Sequence, residues 1–183
     1  MSRIGKLPII LPASVTAQIE SNRVLMTGPK GKLELGLLSG VSLVQEDQTL
    51  RVTIADPENA QQKAYWWLTR ALLQNMVIGV SEGYTKSLDI LGVGYKFDVK
   101  GPRTLELSIG YSHKVNVDAP EGITIEADKE EKNRIHLHSH DKQLLGYFAA
   151  YIRSLKEPEP YKGKWIRYTG EYVRKKAGKT AGK

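Results

Sequence analysis

Two stretches of this chain carry the same alternation of apolar and polar positions. Val24-Leu25-Met26-Thr27-Gly28-Pro29-Lys30-Gly31-Lys32-Leu33-Glu34-Leu35 returns, loosely, as Phe97-Asp98-Val99-Lys100-Gly101-Pro102-Arg103-Thr104-Leu105-Glu106-Leu107. Each has period two on both sides of a Gly-Pro turn followed by a basic residue, which predicts a β-hairpin. A second hairpin is expected after each one. Val41–Val44 and Leu50–Ile54 flank the polar turn Glu46-Asp47-Gln48, and Ile123–Ile125 and Arg134–Leu137 flank the charged loop 128–133.

The period then changes to that of a helix, once per copy. Asp56-Pro57 predicts the first start, because a carboxylate accepts from free N–H groups and proline suits the first helical position. Its expected apolar side is Ala60, Ala64, Leu68, Ala71, Leu72 and Met76, with Gly79 as the stop. The second helix is expected from Ser139–Asp141, with Leu144, Leu145, Phe148, Ala149, Ile152 and Leu155 on one side and Pro158 as its end. One helix covers one face of a three- or four-stranded antiparallel sheet. The expectation is therefore an α+β fold made of two similar small domains, an internal duplication at 1–82 and 83–160, with an extension over 161–183. Because the second stripe ends at Leu155, removal of Glu157 onward is expected to leave both domains folded.

Charge changes the picture at that extension. The chain has 183 residues and a net charge of +7, and residues 162–183 hold eight basic residues against Glu171 alone. The rest is neutral. For charge alone, a solubilising tail and a polyanion-binding arm are equal readings. Tyr161, Trp165, Tyr168 and Tyr172, with Gly163, Gly170 and Gly178, favour the arm: aromatic rings stack on unpaired bases and glycines let the backbone approach closely. Lys162, Lys164, Arg167, Arg174, Lys175 and Lys176 would neutralise phosphates.

Other chemistries find little support. There is no cysteine, which removes disulfides, thiolate metal sites and cysteine nucleophiles and fits a reducing interior. No apolar run nears the roughly 18–20 residues of a membrane span, and Met1–Pro8 lacks the apolar stretch of a signal peptide. His136, His138 and His140 would share one face of a strand, a pattern open to zinc. The matching positions in the first copy are Thr53 and Ala55, which favours a solvent face instead, so no metal or cofactor is expected. Gly178-Lys179-Thr180 lacks the earlier glycine of a phosphate loop, since Val173 stands there. Gly92-Val93-Gly94 lacks the third glycine of a dinucleotide fingerprint and reads as a bend. Serine, histidine and aspartate occur without a spacing that sets a triad, so no enzyme is expected.

The chain resembles the bacterial-type large-subunit ribosomal protein L6 family almost end to end. The residues that carry this are Ser2-Arg3-Ile4-Gly5-Lys6-Leu7-Pro8-Ile9, Gly28-Pro29-Lys30-Gly31, Thr69-Arg70, Asn75-Met76-Val77, Gly79-Val80 and Gly92-Val93-Gly94-Tyr95. Further along come Gly110-Tyr111-Ser112-His113, Asp141-Lys142-Gln143 and the run from Pro158-Glu159-Pro160-Tyr161-Lys162-Gly163-Lys164 through Ile166-Arg167-Tyr168 to Gly170-Glu171. The resemblance implies two similar α+β domains and a structural component of the large ribosomal subunit that binds 23S-type rRNA. It implies a place near the stalk base, beside neighbouring large-subunit proteins and the docking region of translational GTPases, with no membrane partner. Ribosomes of the cytoplasm and of plastids are both compatible. Carried onto this chain, the implied rRNA-binding residues are Tyr161, Lys162, Gly163, Lys164, Trp165, Ile166, Arg167 and Tyr168, then Arg174, Lys175 and Lys176. Gly92, Gly94, Tyr95, Ser112 and His113 form a second rank. A free nucleic-acid chaperone or DNA-binding module is the alternative. The chain departs from the family at Trp165, where glycine is usual, at Lys114, where proline is usual, and at Trp66-Trp67, where His-Gly is usual.

Overall fold

The alternating runs become strands, and the Gly-Pro turns join them as expected. A computed structural model of the chain describes residues 4–179. Ser2, Arg3, Thr180 and Lys183 therefore lie outside the described residues. The chain divides into two units, one running to Tyr84 and including His140–Lys142, the other made of Thr85–Ser139 and the chain from Gln143 onward.

In the first unit the strands are β1 (Ile9–Ile10), β2 (Thr16–Ile19), β3 (Arg23–Gly28), β4 (Gly31–Gly36), β5 (Val41–Glu46) and β6 (Thr49–Ile54). They form two three-stranded sheets, β2-β3-β4 and β1-β6-β5, where one sheet per copy was expected. The first hairpin pairs Met26 with Leu33 and Val24 with Leu35, and the second pairs Leu43 with Val52. Helix α1 (Ala60–Ser81) packs on β6 and β3. The core holds Ile9, Val24, Met26, Leu50, Leu73 and Val80, all 0 % exposed.

Helix α1 differs from its sequence reading at both ends and along its face. Asn59 is the cap, its side chain accepting from the N–H groups of Gln61 and Gln62. Asp56 instead accepts from the Glu58 N–H at 2.9 Å, closing a turn one step earlier. The helix runs through Gly79, which is buried, and ends where Gly83 takes φ 85° and donates to the Ile78 carbonyl. Thr69, Leu73, Met76, Val77 and Val80 face the core, whereas Ala60 and Ala64 are exposed and Leu68, Ala71 and Leu72 half-buried. The expected stripe was thus rotated by about one residue, or 100°. The alanines that suggested it have too little side chain to decide a face.

In the second unit the strands are β7 (Tyr84–Leu91), β8 (Lys96–Val99), β9 (Thr104–Ser108), β10 (Val115–Asp118), β11 (Ile123–Ala127), β12 (Arg134–Ser139) and β13 (Trp165–Tyr168). The sheets are β8-β9-β10 and β11-β12-β7-β13. The orders β5-β6-β1 and β11-β12-β7 correspond, so the duplication survives in topology. Strand β13 is the extra member, with no counterpart in the first copy. Helix α2 (Lys142–Ser154) buries Leu145, Phe148, Ala149 and Ile152, four of the six residues expected on that side. On β12, Ile135 and Leu137 are buried and His136 and His138 lie on the opposite face, while His140 falls beyond the strand's end.

Candidate nucleic-acid interface

Strand β13 is where the basic extension begins, and it is built into the sheet. It pairs antiparallel with β7, Trp165 opposite Leu91, Ile166 opposite Ile90, Arg167 opposite Asp89 and Tyr168 opposite Leu88. Ile166 is 0 % exposed. Its side chain belongs to the core, so it offers no surface to a nucleic acid, and a chain ending before Glu157, expected to keep both domains folded, would lose this core residue and the whole of β13. Sequence reading missed this because Ile166 lies far past the helix stripe, as the one aliphatic residue in a basic and aromatic run.

Several bonds hold the strand. The Ile166 N–H donates to the Lys156 carbonyl at 3.1 Å, and the Thr169 N–H to the Ser87 carbonyl at 3.0 Å. Arg153 of α2 forks onto Glu171 at 2.6 and 3.0 Å, and Glu171 also accepts from the Tyr168 N–H at 3.0 Å. The Arg153 guanidinium accordingly holds the Glu171 carboxyl below the ordinary carboxylate range. Thus the one acid of the extension is a structural clasp. Ahead of β13, Gly163 takes φ 68° and donates to the Glu159 carbonyl, making a tight turn that leaves Tyr161 and Lys162 exposed. Beyond it, the Lys176 N–H returns to the Pro160 carbonyl at 2.7 Å.

Trp165 has φ 87°, in the left-handed region where a side chain clashes with its own backbone. Its ring lies under the Lys156 ammonium at 4.7 Å, and the same ammonium is 4.9 Å from the Tyr111 ring. Tyr111 in turn stacks on His113 at 6.1 Å. One cation is therefore held between two aromatic faces from different segments. Lys156 gave no sequence signal of its own.

The second-rank residues meet the strip here. Gly92 follows the residue paired with Trp165, and a side chain on Gly92 would sit 2.4 Å from the Tyr95 ring. A side chain on Gly110 would likewise meet the other end of that ring, 2.7 Å from its hydroxyl. Tyr95 thus lies in a cradle of two glycines and draws the 92–95 and 110–113 loops together. Val93, Gly94, Ser112 and His113 are exposed around it. Arg174 and Lys175 are exposed farther along and do not join the cluster.

Charge separates this end from the rest of the unit. Lys114, the departure from proline, spends its ammonium on Glu106 at 2.7 Å and lowers that carboxyl. Lys96 pairs with Asp98, Arg134 with Asp89 and Glu131, and Arg153 with Glu171. Among the described residues, the Lys162, Lys164, Arg174, Lys175 and Lys176 side chains form no ion pair.

The outer face of the second unit's four-stranded sheet does align a serine, a histidine and an aspartate, which their spacing along the chain did not suggest. Ser87 Oγ lies 2.8 Å from His136 Nδ1, and His136 Nε2 lies 2.9 Å from Asp128 Oδ2. Backbone N–H groups of Glu131 and Glu130 bond Asp128 Oδ1 and hold its carboxyl down to about 2. His138 bonds Thr85 at 2.9 Å. Both rings are thus tied into cross-strand polar pairs, and no metal-holding group of three occurs among the described residues. In the first unit Trp66 is half-buried in the core and donates from Nε1 to the Val52 carbonyl, while Trp67 is 46 % exposed. No helix among the described residues is long and apolar enough to cross a membrane.

The family model for "Ribosomal protein L6" matches residues 11–83 and again 91–169, one match for each copy of the duplication. The chain is 48 % identical over 183 residues to a protein of Syntrophomonas wolfei, covering 100 % of both chains. It is 46 % identical over 180 residues to one of a Nostoc species, covering 98 % of this chain and 97 % of that one. A third, from Paracoccus denitrificans, is 45 % identical over 181 residues, with 98 % and 99 % covered. Each of these relatives carries the name "Large ribosomal subunit protein uL6". With both copies matched and the full length covered, the chain belongs to the ribosomal protein L6 family of the large ribosomal subunit.

Proposed function

We propose that this chain docks on 23S-type rRNA through one end of its second unit, near the stalk base where translational GTPases bind. The contact surface is Tyr161, Lys162, Lys164, Trp165, Arg167 and Tyr168, flanked by Gly92–Tyr95 and Ser112–His113, with Arg174–Lys176 as a following basic run. The observation that carries this reading is the run of unpaired cations, with no acid among them but the clasped Glu171, on a segment fixed in place by β13. A fixed array of unpaired charge releases counterions on phosphate contact at a lower ordering cost than a free tail. Shape and backbone carry the recognition, because side chains cannot read the narrow major groove of A-form RNA. The protein's part is to hold rRNA segments and neighbouring large-subunit proteins in place.

Co-sedimentation with large subunits tests the reading. The full chain is expected to stay bound in high salt, and a chain ending at Val173 to wash off progressively. A full chain that washes off as readily as a simple polycation would instead identify a free nucleic-acid-binding module.

A further inference from the structure

A cavity of about 320 Å³ opens on the outer face of the second unit's four-stranded sheet, between β7, β13 and the turn that precedes β12. Asp89, Glu131, Lys132, Asn133, Arg134 and Arg167 supply its polar wall. The charges are unevenly used. Arg134 gives its Nε to Asp89 at 2.7 Å and an NH2 to Glu131 at 2.9 Å. Thr169 takes the same Asp89 oxygen at 2.8 Å. Arg167 stands directly opposite Asp89 in the strand register, yet receives nothing from it. Its Nε is enclosed by protein without an acceptor, the one buried side-chain atom so placed among the described residues.

A buried donor left without an acceptor is destabilising until something accepts from it. Arg134 already occupies both carboxylates of the wall, Asp89 and Glu131, which leaves Arg167 without an ion pair. Lys132 adds another cation with no ion pair among the described residues. With both acids taken, Arg167 and Lys132 leave room for one further anion, of a kind that a guanidinium fork can grip.

We propose that this cavity is a phosphodiester-binding site, in which Arg167 turns its Nε–H and a terminal N–H onto one RNA backbone phosphate while Lys132 and the Asn133 amide close the opposite wall. The proposal rests on the RNA-binding reading above and adds to it the 128–133 turn, which the sequence presented only as a solvated charged loop. The unpaired Nε of the free protein marks the resting position of a side chain that is satisfied on binding.

The test is filter binding of the full-length protein to protein-free 23S-type rRNA across a salt series. Arg167→Lys keeps the charge and loses the fork, so it is expected to bind about tenfold more weakly with the salt slope retained. Arg167→Gln is expected to bind more weakly still, with the slope reduced by about 0.7–0.9. Lys132→Gln, on a turn outside the β13 pairing, is expected to reduce the slope in the same way, which keeps the test valid should an Arg167 variant disturb the strand. Wild-type affinity in both Arg167→Lys and Lys132→Gln overturns the site while leaving the basic-strip reading intact. Absence of rRNA binding by the wild type overturns both. Inorganic phosphate provides the remaining arm. Competition no greater than that of chloride at equal ionic strength supports an RNA phosphate, whereas selective displacement of rRNA from wild type but not from Arg167→Gln assigns the cavity to free phosphate and overturns the RNA assignment.

Discussion

Replacing Trp165 by alanine and, separately, by glycine isolates the backbone strain at the start of β13. Both variants lose the partly buried indole and its contact with the Lys156 ammonium. Deleting a large aromatic from a core costs about 3–5 kcal/mol, and a half-buried one less; the cation–π contact adds about 0.5–1 kcal/mol. Those losses are common to the pair and cancel in their comparison. The difference is backbone. At φ 87° a residue with a Cβ carries about 1–2 kcal/mol of strain that glycine lacks. In an ordinary strand alanine would be the more stable of the two by about 0.5–1 kcal/mol. Here the order should reverse, with glycine ahead by about 1 kcal/mol, equivalent to roughly 4–8 °C in the melting temperature of a domain this size. Amide exchange at Ile90 and Ile166 reads the second unit. Fluorescence provides the control, because once Trp165 is gone both remaining tryptophans, Trp66 and Trp67, report the first unit. An alanine variant as stable as the glycine variant, with fluorescence unchanged, would refute the strain argument.

Truncations should separate fold from binding. A chain ending at Lys164 loses Ile166 and all of β13, so exchange protection on β7 should collapse while the Trp66 signal is kept. A chain ending at Val173 retains the Arg153–Glu171 fork, and its exchange pattern should match the full chain while its rRNA salt slope falls. Arg153→Ala strips Glu171 of its partner in a half-buried setting and should cost about 1–3 kcal/mol, read as faster proteolysis after Tyr168. The Asp128 carboxyl sits at about 2 in the folded chain against an ordinary 3.8. Its contribution is therefore fully present above pH 3.8 and is lost as pH falls from there to about 2. Acid titration followed by circular dichroism should show that step, and Asp128→Asn should remove it.

How much of this was legible beforehand depended on whether a residue's own neighbours in sequence determine its role. The hairpins were, since alternation on both sides of a Gly-Pro turn leaves one register, which buries Val24 and Met26 in the first unit and Leu105 and Leu107 in the second. The face of α2 was largely legible as well, because Leu145, Phe148 and Ile152 are too large to be exposed cheaply. Helix α1 was not. Its polar and apolar residues are nearly balanced around the axis, and what settles its orientation is Trp66 reaching the Val52 carbonyl on another strand.

The basic extension shows the same limit more sharply. Its charge and aromatic content were plain, but they suggested a free arm where the structure has an edge strand. A free arm and an edge strand have similar composition when only one residue in the strand, Ile166, faces the core. Strand β13 forms because β7 offers an unfilled edge, and that edge exists only once β11, β12 and β7 have folded. Four residues of pairing then convert diffuse charge into a fixed array. Trp165 lies at the start of that strand in a conformation better suited to glycine, and Arg167 is held two residues on beside a carboxylate already taken by Arg134. Neither relation has any trace in local sequence, because both are set by pairing across about eighty residues of chain. The start of the extension is therefore better understood as the last strand of the second unit, and the proposed RNA contact as a property of that strand's outer side.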